Sequence, residues 1–433
     1  MKPNIPIKIS TYTGVALVVA NMVGTGAFTS LGFQLSELKS PSTIIFLWVL
    51  GGVIALCGAF SYAEVGSQIR KSGGEYIFLS ELFHPLIGYL SGWISITVGF
   101  AAPIALSAIA VIEYFPYYHL SPKWAGILLI GFITLIHSLN LKVSAKVQNI
   151  STLLKVFLIV LLITIGLVLP AESNAISLNT SQYSELFTPA FIIALIYVSY
   201  SYSGWNAAVY IIEEFKNPKK SIPRALVIGT SIVTVLYTLL QYVFLKMASL
   251  DDLVGKLNVG HIVSENILGS GTGNLFSFAI SLLLVSGISA MVWVGARVTS
   301  SMAKDYQIWR FFRNKEGTIP KAALWLQFMV TAIILVTGTF EQVLIYCGFL
   351  LTISSAFTVF GVFKLRLTKH QYDKSTFKSP FYPVPQIIFL VFSIGMVFFA
   401  IYQYPAETAI GSTNVLAGIG SWFLNKYVIT KNK

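Results

Sequence analysis

Two short runs of glycine and hydroxyl residues interrupt otherwise apolar stretches of this chain. The first is Gly24-Thr25-Gly26-Ala27-Phe28, within 10–35, and the second is Ser201-Tyr202-Ser203-Gly204, within 187–212. Gly24 and Gly26 lack a Cβ, so the backbone can leave the helical region and approach a ligand closely. Unwinding there would free N–H groups at the start of the following half-helix, whose dipole favours an anion. A carboxylate suits that place, with the Thr25 hydroxyl as a further donor. The second run would free carbonyls at the end of a half-helix, and these suit an ammonium group. Tyr200, Tyr202 and Trp205 surround it as gate or pocket wall, with Tyr200 the first choice. Anion donors at one break and cation acceptors at the other match the two charges of an α-amino acid. Close helix packing through small residues is the competing reading of the first run.

Lys155 is the next chemical feature, alone in Thr152-Leu153-Leu154-Lys155-Val156-Phe157-Leu158. An ammonium within a membrane span is costly and is by default a functional hypothesis. Burial disfavours the charged form, which suits a proton carrier near neutral pH. Its expected neighbours are the backbone near Met22 and Val23 and the hydroxyl of Ser286 or Ser289. Snorkelling to the interface is the alternative. Arg297 is expected to snorkel or to pair with Glu64 or Glu213. Glu64, Glu213 and Glu214 read as inner-gate or structural ion pairs. No mid-membrane Asp or Glu is expected to be available to pair with a substrate cation, and the candidate pocket residues Ala101, Ala102, Ser289 and Ala290 are small and uncharged. That favours a neutral amino acid over a polyamine. His84, His119, His137, His261 and His370 are scattered, and Cys57 and Cys347 lack metal-ligand spacing, so neither metal nor cofactor is expected.

The elements that position these groups follow from composition. The chain has 433 residues, 55% hydrophobic and 11% charged, unlike any soluble domain. Twelve apolar stretches are expected to cross the bilayer: 10–35, 41–66, 86–113, 122–140, 147–169, 187–212, 224–247, 274–301, 322–338, 341–365, 384–404 and 409–428. The net charge of +12 collects in alternate loops. Lys2, Lys8, Arg70, Lys71, Lys142, Lys146, Lys216, Lys219, Lys220 and Arg224 fall on one side, as do Lys304, Arg310, Arg313, Lys315, Lys364, Arg366, Lys369, Lys374 and Lys433. The positive-inside rule then places both termini in the cytoplasm and makes the basic balance topology, not a nucleic-acid patch. The acidic residues Glu172, Glu185, Asp251, Asp252 and Glu265 fall outside. Segment 69–79 is expected to lie in the interface or re-enter. Spans 1–5 and 6–10 each open with a broken helix, and an odd number of spans flips the second block relative to the first. That is the arithmetic of an inverted repeat, with residues 1–170 and 187–366 as its halves and 380–433 peripheral.

The run GTGAF resembles the glycine-rich motif of the amino acid–polyamine–organocation family of permeases. So does SYAEVGSQIRKSGGEYIFL, residues 61–79. YSGWNAAVYIIEEFKNPKKSIPRAL, residues 202–226, resembles the sixth span and following loop of its amino-acid transporters, above all the L-type branch. The resemblance covers nearly the whole chain. It implies an all-α membrane protein of the leucine-transporter fold, with ten core helices in two inverted repeats and two peripheral ones. Helices 1 and 6 would hold the substrate main chain, and helices 3, 8 and 10 would line the rest. Gly24, Thr25 and Gly26, with Ala27 beside them, match the carboxylate break. Ser201 to Gly204 match the amino-group break, Tyr200 an aromatic gate, and Asn206 a polar pocket residue or a structural hydrogen bond. A lysine at the place of Lys155 replaces a sodium ion in some relatives and couples transport to protons. The implied partners are an amino-acid substrate, protons and the plasma-membrane bilayer.

Other classes fit less well. A polytopic enzyme would need a catalytic cluster, and a channel would need a filter-like repeat or a charged ring. An exchanger, or a sensor that keeps the breaks without the coupling lysine, remains open.

Overall fold

The computed structural model describes residues 9–115, 121–139, 141–171, 185–186, 188–314, 318–368, 373 and 375–431, with backbone only for 141–152 and 428–431. Lys2, Lys8, Lys315, Lys369, Lys374, Lys433, Glu172, His119 and His370 therefore lie outside the described residues, as do the side chains of Lys142, Lys146 and Thr152.

A helical segment occupies each expected span. Span 1 is two half-helices, Thr11–Met22 and Gly26–Glu37. Span 2 is Pro41–Gln68. Segment 69–79 contains the start of a short helix, Glu75–Leu82. Span 3 runs from Pro85–Ile94 through a π turn at Ser95–Gly99 to Ala101–Glu113. Spans 4 and 5 are Pro122–Leu139 and Leu141–Val168. Span 6 is Pro189–Ser201, a break, and a 3-10 turn at Ala207–Glu214. Span 7 is Pro218–Met247. Span 8 lies within Val259–Asp305, which is broken at Gly269, whose φ of 78° only glycine adopts freely. The part before the break folds back on the span, with His261 Nδ1 2.7 Å from Ser277 Oγ, so the span itself starts close to the expected boundary. Spans 9 to 12 are Lys321–Thr337, Phe340–Leu367, Val384–Gln403 and Pro405–Lys431. Among the described residues, eight helices are long and apolar enough to cross a membrane. The protein is an all-α, multi-pass membrane protein.

Local chemistry fixes the helix starts. Ser10, Ser40, Thr188 and Thr339 accept hydrogen bonds from the first turns of spans 1, 2, 6 and 10. Pro41, Pro85, Pro189 and Pro218 occupy first-turn positions, where a missing N–H costs nothing. The π turn has a local cause. Pro103 cannot donate to the Gly99 carbonyl, so the ladder shifts just before it. Small residues bring spans together, as where Gly52 of span 2 meets Thr234 of span 7: a Cβ there would lie 2.2 Å from Thr234 Cγ2.

At the end of span 2, Glu64 is fully buried and paired with Arg366 of span 10, at 2.6 Å (Nε to Oε1) and 2.7 Å (Nη2 to Oε2). The Ser379 amide also donates to it, at 2.8 Å. Arg366→Leu would remove the guanidinium from a buried, hydrogen-bonded carboxylate, at a cost of about 3–5 kcal/mol. A large fall in the detergent unfolding temperature is the expected result, and an unchanged one would remove this pair from the fold's supports.

Candidate functional site

The two breaks meet. Gly204 has a φ of +97°, and a Cβ on it would lie 2.8 Å from the Asn21 carbonyl oxygen. A Cβ on Gly26 would lie 2.6 Å from Ser201 Cα. Ser30 Oγ and Ser201 Oγ are 2.8 Å apart, and Ser201 also donates to the Tyr197 carbonyl at 2.9 Å. Backbone therefore lies on backbone, which only glycine permits at these two positions.

Opening span 1 strands polar groups that lipid cannot satisfy. Neighbouring spans satisfy its carbonyls. Tyr237 donates to Met22 O at 2.5 Å, Lys155 to Val23 O at 3.3 Å, Gln241 to Ala27 O at 2.8 Å and Tyr114 to Phe28 O at 2.9 Å. The amides of Thr25, Gly26 and Ala27, at the start of the second half-helix, have no acceptor among the described residues. In span 6 the carbonyls of Ser201, Tyr202 and Ser203 likewise have no donor among the described residues. Unused donors on one break thus face a chain whose other break carries unused acceptors.

A cavity of about 180 Å³ lies at this meeting point. Gly24, Thr25, Gly26, Tyr200, Ser201, Ser203, Gly204 and Asn206 line it. Tyr200 is buried and its phenol interacts with the Thr25 side chain. The π turn of span 3 contributes Ser95 and Gly99, followed by Phe100 and Pro103. Span 8 contributes Gly287, Ala290, Met291, Trp293 and Arg297. Half-buried Arg297 and exposed Glu214 mark the open end, near the start of span 1. At the opposite end Phe33 stacks on Phe340 with centroids 5.7 Å apart and on Tyr197 at 5.6 Å. Tyr197 donates to Glu341 at 2.6 Å there.

Several expected residues sit elsewhere. Ala27 is fully buried behind the break and does not reach the cavity. Tyr202 turns to the far side of span 6. It donates to the Trp48 carbonyl at 2.9 Å and packs on Tyr237 at 5.3 Å, joining span 6 to spans 2 and 7. Ala101 and Ala102 are fully buried outside the cavity, and of the four small pocket candidates only Ala290 lines it. Ser289 lies 2.8 Å from His137 Nε2, not against Lys155. Ser286 is buried, and its hydroxyl has no hydrogen-bond partner among the described residues. Arg297 pairs with neither Glu64 nor Glu213. It approaches Glu214 at 3.4 Å and lies over the Trp293 ring at 3.6 Å. Glu213 instead accepts the Ser72 amide at 3.1 Å.

Lys155 is 2% exposed. Its ammonium lies at the Val23 carbonyl and beside Gly287, where a Cβ would be 3.2 Å from Nζ. It has no acidic partner among the described residues. The ammonium thus faces the break of span 1, not a helix end, which is not the geometry of a snorkelling side chain.

One carboxylate escaped the sequence reading. Glu75 lines the cavity and is 4% exposed. Tyr62 donates to it at 2.9 Å, Tyr210 at 2.6 Å, and Asn206 through its side-chain amide. Three neutral donors satisfy the anion, so Asn206 makes a structural hydrogen bond while also facing the cavity. The basic-loop setting of segment 69–79 hid this burial, which depends on partners from spans 2 and 6.

The comparisons with known proteins agree with this architecture. Over 432 residues the chain is 25% identical to b(0,+)-type amino acid transporter 1 of Mus musculus, covering 97% of this chain and 88% of the relative. It is 25% identical to the Asc-type amino acid transporter 1 of the same organism, covering 98% and 82%. It is 26% identical to the mouse large neutral amino acids transporter small subunit 2, covering 97% and 81%. Residues 9–424 match the family described as amino acid permease, and the chain belongs to that family.

Proposed function

We propose that this protein is a secondary active transporter that carries neutral amino acids across the plasma membrane by alternating access, coupled to protons through Lys155. The observation that carries the reading is the pairing of unused amides at Thr25 and Gly26 with unused carbonyls at Ser201 and Ser203 around one cavity. The carboxylate goes to the first set and the ammonium to the second. Tyr200 covers the bound molecule. Residues 1–170 and 187–366 are the two inverted repeats, each contributing one broken helix, and residues 380–433 flank them. Both termini are cytoplasmic. On that orientation the cavity opens inward past Arg297 and Glu214, and the Phe33, Tyr197 and Phe340 rings close the outer side.

The test is uptake of a labelled amino-acid panel into proteoliposomes, with and without an acid-outside gradient. Accumulation against a concentration gradient, driven by that pH difference, is the expected result. Absence of uptake for every α-amino acid would overturn the reading. Within the same assay, Tyr200→Ala should raise the substrate KM about tenfold, a loss of about 1.4 kcal/mol. Tyr202→Ala should lower thermal stability, because that ring holds spans together behind the break. Wild-type kinetics from Tyr200→Ala would remove it from the gate.

A further inference from the structure

We propose that a second cavity, behind the break of span 6, is a side-chain subsite that receives the large apolar side chain of the transported amino acid. The inference rests on the transport reading above. This cavity, of about 60 Å³, lies between spans 2, 6, 10 and 11. Tyr200, Ser203, Trp205, Leu351 and Ser355 line both it and the main cavity, so one layer of side chains separates the two. Alone it would hold a water or two, at about 30 Å³ each. It gains meaning only as an extension of the main site.

Three features favour that extension. The far walls have gaps at Gly51 and Ala55 of span 2 and at Gly348 of span 10, set among the larger Ile54, Phe389 and Met396. Toward spans 3 and 8 the main cavity meets both large residues, Phe100, Met291 and Trp293, and small ones, Gly99, Gly287 and Ala290. The partition is also thin at Leu351. Its side chain crosses from span 10 to span 3, where a Cβ on Gly99 would be 3.3 Å from Leu351 Cδ2. A leucine changes rotamer without moving its backbone, and such a change would join the cavities. Finally, Ser393 is 1% exposed, lines the second cavity, and has a hydroxyl with no hydrogen-bond partner among the described residues. A mostly apolar pocket with one free hydroxyl suits the side chains of leucine, phenylalanine and tyrosine.

Two substitutions act on the space in opposite directions. A Cβ at position 348 meets its nearest neighbour, Ile196 Cγ2, at an ordinary 3.6 Å. Gly348→Val would therefore place its methyl groups in the cavity without displacing the backbone. Leu351→Ala would remove the partition. Proteoliposome uptake of alanine, leucine and phenylalanine reads the effect. With Gly348→Val the KM for leucine and phenylalanine should rise about tenfold or more, as for a filled apolar pocket, while alanine stays near wild type. With Leu351→Ala the preference should shift toward phenylalanine. Unchanged alanine-to-phenylalanine ratios in both variants would overturn the subsite, as would a wild-type protein that carries alanine but neither larger substrate. If Gly348→Val does not reach the membrane, the Leu351→Ala ratio decides alone. A wild-type protein that takes up none of the three would sink the transport reading itself, and the subsite with it.

Discussion

Lys155→Arg should abolish pH-driven accumulation, although it keeps a positive charge in the same span. Lys155 is buried, its ammonium reaches the Val23 carbonyl at 3.3 Å, and it touches span 8 beside Gly287. A protonated lysine there ties spans 1, 5 and 8 together, as a bound cation would. Losing the proton weakens the hold on the end of the first half-helix and lets that half-helix move. An arginine stays protonated in proteins, so it should lock the contact and stop the cycle. Its planar fork also exceeds the space filled by a single ammonium. Lys155→Ala should lose accumulation for the opposite reason, since nothing then donates to Val23 O. That variant can still bind substrate and exchange it. The expected measurement is an accumulation ratio near unity for both variants under an acid-outside gradient. Full accumulation by Lys155→Arg would remove the proton carrier and leave exchange as the favoured mode.

Gly26→Val should remove both substrate binding and a good part of the protein's stability, while Gly24→Val should remove binding alone. The two glycines do different work. At Gly26 any Cβ strikes Ser201 Cα at 2.6 Å, so the breaks must separate. Overpacking of this kind costs about 1–3 kcal/mol or more, roughly ten- to a hundredfold if it falls on affinity. At Gly24 the nearest atom is Met22 O at 3.8 Å, and the residue lines the cavity. A side chain there enters the space beside the free amides without pushing the helices apart. Binding assays and thermal unfolding on both variants separate the effects. Normal binding by Gly24→Val would show that the first break is packing and not a substrate site.

Much of this geometry is legible in the residues, for a physical reason. Glycine and hydroxyl residues in the middle of an apolar stretch either bring helices together or open one, and both breaks lie where such runs occur. Lys155 stands out because it is alone in an apolar span. What was not legible depends on rotation and on distant partners. Span 6 is apolar all round its helical part, so nothing local says that Tyr200 faces the cavity and Tyr202 faces Trp48. The same ambiguity put Ala27, Ala101 and Ala102 at a surface that they do not reach. Glu75 looks solvated beside Arg70 and Lys71, yet Tyr62, Tyr210 and Asn206 enclose it. The π turn of span 3 left one trace, Pro103 four residues after Gly99. Arg297 was assigned the wrong acidic neighbour because Glu213 and Glu214 are adjacent, and the 3-10 turn decides which of them faces span 8.

The central claim is that the two breaks together hold the carboxylate and the ammonium of an α-amino acid. Competition by end-blocked analogues tests it most directly. Leucine, leucine methyl ester and N-acetyl-leucine share one side chain but differ in which charged end survives. Each should be titrated against a labelled substrate bound to the purified protein. If both breaks act, leucine competes while each blocked analogue loses about a hundredfold or more in affinity, as expected when a buried set of donors or acceptors is left unpaired. Equal competition by all three would place recognition in the side-chain pocket alone and contradict the two-break site.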